Sequence, residues 1–155
     1  SGKDENKRAP MYWSKDGNAE GMCKGPADMD DFRMKFDSLE EQQEDPDSIY
    51  NYVKQVIRVR NQNPVIARGT TAYLEQYSGE QCFALTRSYE GSNLLLLGNT
   101  SAEAVSVDLT GLTVGGTTAE ELVLLGELYT GEETAERAGT VVTLPAYSIL
   151  ILGEE

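Results

Sequence analysis

The chain has 155 residues, of which 39% are hydrophobic and 25% are charged, and its 13 basic residues face 26 acidic ones. A net charge of −13 repels phosphate groups and anionic lipids, which argues against binding to nucleic acids and to membrane surfaces. No apolar run approaches the roughly 18 to 20 residues of a membrane span, so we expect no membrane insertion. The sequence contains no histidine, which excludes Ser-His-Asp and Cys-His catalysis and the usual zinc sites. The chain begins with Ser1-Gly2 and not with methionine, so we expect a processed or excised segment of a longer protein.

Residues 1–45 differ from the rest of the sequence because no helical or strand periodicity continues for long within them. They contain all four methionines, the only tryptophan and turn signals such as Asp16-Gly17 and Gly25-Pro26. An irregular segment of about forty residues is rare in a compact domain and is typical of functional loops or of segments that depend on a neighbour. We therefore predict that this segment packs against a surface outside the chain.

The aromatic pair Tyr12-Trp13, close to Arg8, is the main candidate for binding in this segment. Aromatic faces and the planar donors of arginine suit the recognition of carbohydrates. Two interpretations remain open at this point. The pair is either a platform on which a sugar ring stacks or a hydrophobic anchor for a long loop.

Carboxylates and thiols provide the other chemically reactive groups of the sequence. Asp28, Asp30 and Asp31 lack the glycine and the distal glutamate of an EF-hand calcium loop, so we expect solvated carboxylates and no metal site. Cys23 and Cys82 are either free thiols or one bridge. Because the two cysteines lie in segments of different character, free thiols are the favoured interpretation.

Residues 46–63 form the clearest predicted element, one long α-helix. Asp45 is a good N-cap, and Pro46 suits the first helical position. Apolar side chains recur at helical spacing and form one stripe: Ile49, Tyr52, Val53, Val56 and Ile57. Asn63 and Pro64 are expected to end the helix. Because such a stripe needs a partner surface, we expect the strands that follow to cover it only in part.

Residues 65–155 are predicted to form short antiparallel strands. The candidates, separated by turn-like residues, are Ala72–Gln76, Gln81–Tyr89, Asn93–Asn99, Ala104–Leu109, Glu121–Leu128, Thr140–Leu144 and Tyr147–Leu152. Seven or eight strands in about ninety residues predict a sandwich with Greek-key connections. The predicted fold class is therefore mainly β: an antiparallel Greek-key β-sandwich, preceded by one long α-helix and an irregular loop segment. This region has no lysine and only 3 of the 13 basic residues.

Several of these segments resemble the α-amylase family of glycoside hydrolases, family 13. Residues 3–13 end in Arg8-Ala9-Pro10-Met11-Tyr12-Trp13 and resemble the family's Arg-x-Pro-Met-x-Trp segment, which lies in the loop after the eighth barrel strand. Residues 39–50 resemble the segment that leads into the eighth barrel helix, and residues 57–69 resemble the end of that helix. The stretches 94–101 and 144–148 are similar to strands of the family's C-terminal domain. The resemblance covers nearly the whole chain.

The resemblance implies a division of the chain and a division of function. Residues 1–64 would be the tail of the catalytic (β/α)8 domain, and 65–155 would be the C-terminal β-sandwich domain. The family's nucleophilic aspartate, acid/base glutamate and second aspartate lie on earlier barrel strands, so no catalytic residue and no cofactor is expected in this chain. Its partners would be the missing catalytic barrel of the same parent chain and, in that parent, an α-glucan; we expect a monomer. Extracellular or cell-surface localisation in a bacterium is what the resemblance suggests.

The family motif carries over to three residues, Asp4, Arg8 and Trp13, for which the resemblance implies a substrate-binding role at the rim of the parent's active site. The parent would hydrolyse α-glucosidic bonds in starch or maltodextrin, and the present chain would be non-catalytic and would stabilise the barrel. A different function class remains open, a free-standing carbohydrate-binding or adhesion sandwich with its own aromatic platform. The only tryptophan lies outside the strand region, which argues against that alternative.

Overall fold

The computed structural model describes residues 3–17, 20, 22–31 and 34–154. The chain forms two compact units, Ser1–Asn51 and Tyr52–Glu155. In the described residues, no helix is long and apolar enough to cross a membrane.

The first unit contains a short 3-10 helix, Asp4–Arg8, and the helix α1, Leu39–Glu44. Helix α1 begins with a capping box: the Ser38 hydroxyl accepts the backbone N–H of Glu41, and the Glu41 carboxylate accepts the backbone N–H of Ser38. The sequence predicts one α-helix in the chain, and α1 is an additional one. A helix of six residues is too short to show a periodicity, and its signal was the Ser-x-x-Glu pattern alone.

Helix α2 spans Ile49–Gln62 and begins later than predicted. The Asp45 carboxylate accepts the backbone N–H of Asp47 (3.0 Å) and forms a turn, so it does not cap the helix. Instead, the Ser48 hydroxyl accepts the backbone N–H of Asn51 at 3.2 Å, in the manner of an N-cap.

The end of α2 agrees with the sequence pattern. The side-chain amide of Asn63 donates to the carbonyl of Val59 (2.8 Å) in the last turn of the helix. Pro64 then occupies the first position of a third helix, α3, Pro64–Arg68, where its missing N–H costs nothing. The guanidinium of Arg87 donates to the carbonyls of Val65 (3.4 Å) and Ile66 (2.7 Å) and so satisfies two acceptors in this helix.

The second unit is mainly β, and all of its strand pairs are antiparallel. Its strands are β1 Thr70–Tyr73, β2 Cys82–Tyr89, β3 Ser92–Asn99, β4 Val105–Asp108, β5 Thr113–Val114, β6 Thr117–Thr118, β7 Val123–Leu128, β8 Glu136–Ala138, β9 Val141–Leu144 and β10 Ile149–Gly153. They form a five-stranded sheet in the order β1-β2-β3-β10-β7, a three-stranded sheet in the order β4-β9-β8, and the ribbon β5-β6. The predicted antiparallel sandwich is confirmed, with ten strands in the described residues because β5, β6 and β8 were too short to predict.

The core lies between the two larger sheets. Leu95 and Leu97 of β3 are fully buried and share one apolar cluster with Val142 and Leu144 of β9. Their neighbours Leu94 and Leu96 belong to a second cluster, on the opposite face of the five-stranded sheet. The four consecutive leucines are therefore buried by two different layers.

The second cluster places helices over the outer face of the five-stranded sheet. Val59 from the end of α2 and Val65 from α3 pack there with Ile151 of β10. Close packing also explains Gly98 on β3, because a Cβ added there would lie 2.1 Å from the ring of Phe83 on β2. The β2–β3 pairing aligns these two residues directly.

Candidate functional site

The 3-10 helix Asp4–Arg8 carries two of the three residues that the sequence analysis selected. A guanidinium nitrogen of Arg8, Nη2, lies 3.2 Å from Oδ2 of Asp4, and the same nitrogen lies 3.8 Å from Oε1 of Glu5. The Asp4 and Arg8 side chains are both largely exposed to solvent. The structure thus brings Asp4 and Arg8 together as an ion pair one helical turn apart.

Asp30 connects this helix to a distant part of the sequence. Its carboxylate accepts from the ammonium of Lys3 (2.5 Å) and from the side-chain amide of Asn6 (2.9 Å). Its backbone N–H donates to the Asn6 side-chain carbonyl at 3.0 Å. The hydrogen bonds from Lys3 and Asn6 hold the pKa of Asp30 below its ordinary value, because they stabilise the charged carboxylate.

The segment after the 3-10 helix packs against residues 25–29. A Cβ added to Gly25 would lie 3.0 Å from Cδ of Pro10 and 3.1 Å from Sδ of Met29, so the glycine permits a close contact. Gly25 also has φ +77, a backbone conformation that favours glycine. One methionine and one proline of residues 1–45, Met29 and Pro10, therefore pack around Gly25 within this unit.

Trp13, the third selected residue, is positioned by α1. The backbone N–H groups of Leu39 and Glu40, at the start of that helix, donate to the carbonyls of Tyr12 (2.9 Å) and Trp13 (3.1 Å). The ring of Tyr12 meets that of Phe36 edge to face, with centroids 6.4 Å apart. The Trp13 side chain remains 41% exposed.

The capping box of α1 is charged. The Glu41 carboxylate accepts from both the hydroxyl (2.8 Å) and the backbone N–H (3.0 Å) of Ser38, and the ammonium of Lys15 lies 3.8 Å away. The bonds from Ser38 lower the pKa of Glu41 from its ordinary value. Ser38 itself is fully buried. The helix end that holds the Trp13 backbone is thus fixed by a buried cap.

Neither Asp30 nor Glu41 was selected from the sequence as a site residue. Glu41 had a local signal in the Ser-x-x-Glu pattern. Asp30 had none, because its partners Lys3 and Asn6 lie more than twenty positions away in the sequence. Asp30 is exposed to solvent, as expected, but it also forms hydrogen bonds with Lys3 and Asn6 that were not predicted.

The three selected side chains can take part in hydrogen bonding and stacking. Arg8 has guanidinium donors, Asp4 has carboxylate acceptors and Trp13 has an aromatic face, and groups of these kinds can bind neutral sugars. Among the described residues, no group of three or more cysteine, aspartate and glutamate side chains is placed to hold a metal ion. Cys23 and Cys82 are not bridged, in agreement with the favoured interpretation.

The sandwich unit has an open groove of its own, with a volume of about 450 Å³. Its lining includes Glu132, Glu133, Thr134, Glu136 and Thr143. Two tyrosines of this unit are well exposed, Tyr73 at 61% and Tyr147 at 50%. The sandwich therefore has aromatic surface, although it has no tryptophan.

Comparison with known proteins gives matches among solved structures only. No family model matches the chain, and no curated protein matches it. Eubacterium rectale Amy13B is 39% identical over 98% of the chain, with a TM-score of 0.85, and the match covers 28% of that protein. The trehalulose synthase MutB from Pseudomonas mesoacidophila MX-45 is 23% identical over 94% of the chain, with a TM-score of 0.69 and 25% of MutB covered. An α-amylase from H. orenii is 21% identical over 94%, with a TM-score of 0.64 and 28% covered.

The chain thus spans about a quarter of the length of these proteins. The similarity to MutB and to the α-amylase shows the shared fold, and the similarity to Amy13B extends to the sequence. Together with the motifs around Arg8 and Trp13, these matches confirm the resemblance: the chain belongs to the α-amylase family, glycoside hydrolase family 13, and corresponds to a C-terminal part of its members.

Proposed function

We propose that this chain is the non-catalytic, stabilising part of an enzyme that hydrolyses α-glucosidic bonds in starch or maltodextrin. In this proposal residues 1–64 complete the catalytic barrel, and residues 65–155 form the domain that follows it. The partner of the chain is the remaining part of that barrel. The similarity to Amy13B over nearly the whole chain supports the assignment to such an enzyme.

The observation that carries the stabilising role is an exposed apolar face on α2. Ile49, Val53 and Ile57 follow one another at a spacing of four residues and are 76%, 46% and 51% exposed. Covering a side chain of this type contributes about 1.5–3 kcal/mol relative to leaving it in water. A face of three such residues is what a helix presents when it packs on the strands of a barrel.

The proposal gives Asp4, Arg8 and Trp13 the role of contacting the α-glucan at the rim of the parent's active site. Arg8 offers planar donors to sugar hydroxyls, and the indole of Trp13 offers an apolar face to a sugar ring. The ion pair with Asp4 keeps the guanidinium near the 3-10 helix. All other contacts with the substrate would come from the barrel.

A chimera tests the proposal. The corresponding quarter of Amy13B is replaced by this chain, and the hydrolysis of starch and maltodextrin and the melting temperature are measured. We expect an active chimera in which Ile57→Asp lowers the melting temperature by several degrees, because a charge would be buried in the helix–barrel contact. Gln55→Asp, on the exposed opposite face of α2, is the matched control and should change little. An Ile57→Asp chimera as stable as the control would contradict the stabilising role.

The alternative function is a carbohydrate-binding module, for which the exposed Tyr73 and Tyr147 would supply aromatic surface. We expect the isolated chain to bind maltooligosaccharides no more tightly than millimolar, about −4 kcal/mol, because two contacts on a long loop must also order that loop. Titration followed by the fluorescence of Trp13 measures this affinity. Micromolar binding that survives Trp13→Ala would place a site on the sandwich and favour the binding module.

A further inference from the structure

We propose that Asp30 is the positioning residue for the Asp4–Arg8 pair: through Lys3 and Asn6 it holds the 3-10 helix in the conformation that presents the Arg8 guanidinium. This inference deepens the proposed function and rests on it, because it concerns the residues to which that proposal gives contact with the α-glucan. Asp30 itself is not proposed to touch the sugar.

The contacts of Asp30 form a clamp with three hydrogen bonds. Its two carboxylate oxygens are divided between Lys3, at 2.5 Å from Oδ1, and Asn6, at 2.9 Å from Oδ2. The third bond runs from the Asp30 backbone N–H to the side-chain carbonyl of Asn6 at 3.0 Å. Both polar ends of the Asn6 amide are therefore used, which fixes the orientation of this side chain against residue 30.

The clamp acts on a short helix that has no side-chain N-cap. A single 3-10 turn of five residues is not stable by itself, and its N-cap residue, Lys3, makes no capping side-chain bond. Lys3 precedes Asp4 and Asn6 follows it by two positions, so the two clamped residues bracket Asp4. Arg8 forms ion pairs with Asp4 and Glu5 of the same short helix, so the orientation of its guanidinium follows that helix.

The backbone carbonyl of Trp13 is held by a hydrogen bond other than those of the clamp. Its carbonyl is bonded to the N–H of Glu40 at the start of α1, and that helix is capped independently by Ser38 and Glu41. Loss of the clamp should therefore disturb the Arg8 half of the site and leave the Trp13 half in place. A general loosening of the segment would disturb both halves.

The experiment uses the 155-residue chain with Asp30→Ala, with Asp30→Asn as the conservative variant and with Asp28→Ala as a control at another exposed carboxylate. Amide hydrogen exchange is measured at residues 4–8 and at Leu39 and Glu40, and the side-chain Nε–H resonance of Arg8 is followed by NMR. In Asp30→Ala we expect exchange at residues 4–8 to rise about tenfold, with a shifted Arg8 resonance and unchanged exchange at Leu39 and Glu40. Asp30→Asn, which keeps an acceptor for Asn6, should restore part of the protection, and Asp28→Ala should match the unsubstituted chain.

Unchanged exchange at residues 4–8 in Asp30→Ala would overturn the proposal, and so would an equal rise at Leu39 and Glu40. Titration with maltoheptaose separates this result from the proposed function. If Arg8→Ala leaves the affinity unchanged, the rim role of Arg8 fails, while the exchange data still decide whether Asp30 positions the turn. If Arg8→Ala weakens binding, Asp30→Ala should weaken it too, and binding at full strength in Asp30→Ala would contradict the positioning role.

Discussion

Polar side chains form specific hydrogen bonds that hold segments of the first unit in place. Asp30 accepts from Lys3 and Asn6, more than twenty positions away, and Glu41 accepts from the hydroxyl and the backbone N–H of Ser38 at the start of α1. Ser38 is fully buried and satisfied by Glu41, as buried polar groups in folded proteins generally are. The carbonyls of Tyr12 and Trp13 are thus held by a helix whose N-cap is buried.

The capping box of α1 gives a prediction about pH. The pKa of Glu41 is lowered in the folded chain from its ordinary value of 4.5, and Lys15 is the charged group that lies near it. The stabilisation is therefore fully present above pH 4.5 and is lost as the pH falls through the lowered pKa. We expect the α1 amides to exchange faster below that point.

The variants Ser38→Ala and Glu41→Gln test this prediction by hydrogen exchange as a function of pH. Ser38→Ala should destabilise α1 by about 1 kcal/mol at neutral pH, the usual effect of removing an N-cap. Glu41→Gln should remove the acid-dependent part of the change, and Glu40→Gln, at an exposed position of the same helix, is the control. A pH profile that is identical in Glu41→Gln and in the unsubstituted chain would exclude Glu41 as the titrating group.

The contact between strands β2 and β3 leaves no space for a larger residue at Gly98. The ring of Phe83 lies over Gly98, where there is no room for a Cβ. We expect Gly98→Ala to lower the free energy of unfolding by about 1–3 kcal/mol, because the added methyl group must displace the ring. Urea unfolding of the chain measures the change.

Two further variants separate this clash from a general effect of replacing glycine. Gly131→Ala adds a methyl group where the structure has no atom within 4 Å, and it should be close to neutral. Phe83→Ala combined with Gly98→Ala should cost less than the sum of the two single changes, because the ring that causes the clash is gone. Additive costs would show that the Phe83–Gly98 contact is not the cause.

The elements also show what a sequence can predict. Helix α2 and the longer strands were predictable because their apolar side chains recur at a spacing of three to four or of two residues. Strands β5 and β6 have two residues each, and no periodicity can be read from two residues. The division of Leu94–Leu97 between two apolar clusters was hidden, because a run of leucines buried on both faces of a sheet shows no alternation.

The candidate site was predictable only in part for a related reason. Asp4, Arg8 and Trp13 were selected through the family motif, which is a local pattern. Asp30 was not, because its role exists only once the chain has brought residue 30 to residues 3 and 6. Contacts across such a distance leave no signal in the spacing of residues.

For the whole molecule, the main expectation is that the isolated chain has no glycosidase activity. The family resemblance places the nucleophile and the acid/base carboxylate on barrel strands that the chain does not contain, and binding groups alone do not cleave a glycosidic bond. The chain is incubated with starch, maltodextrin and an activated α-glucoside, with the α-amylase from H. orenii as the positive control. Turnover that increases with the amount of pure protein would refute the assignment.

The arginines of residues 65–155 determine where a trypsin-like protease can cut this part of the chain. Residues 65–155 contain no lysine and three arginines. Arg87 is bonded to carbonyls of α3, and the guanidinium of Arg137 donates to the carbonyls of Ala119, Leu122 (2.6 Å) and Gly139 (3.3 Å). A trypsin-like protease needs a basic side chain in its specificity pocket, and both of these side chains must leave their carbonyls to reach it. The third arginine, Arg68, lies just before β1 and is exposed. We therefore expect that, in the folded chain, a trypsin-like protease cuts residues 65–155 after Arg68 before it cuts after Arg87 or Arg137.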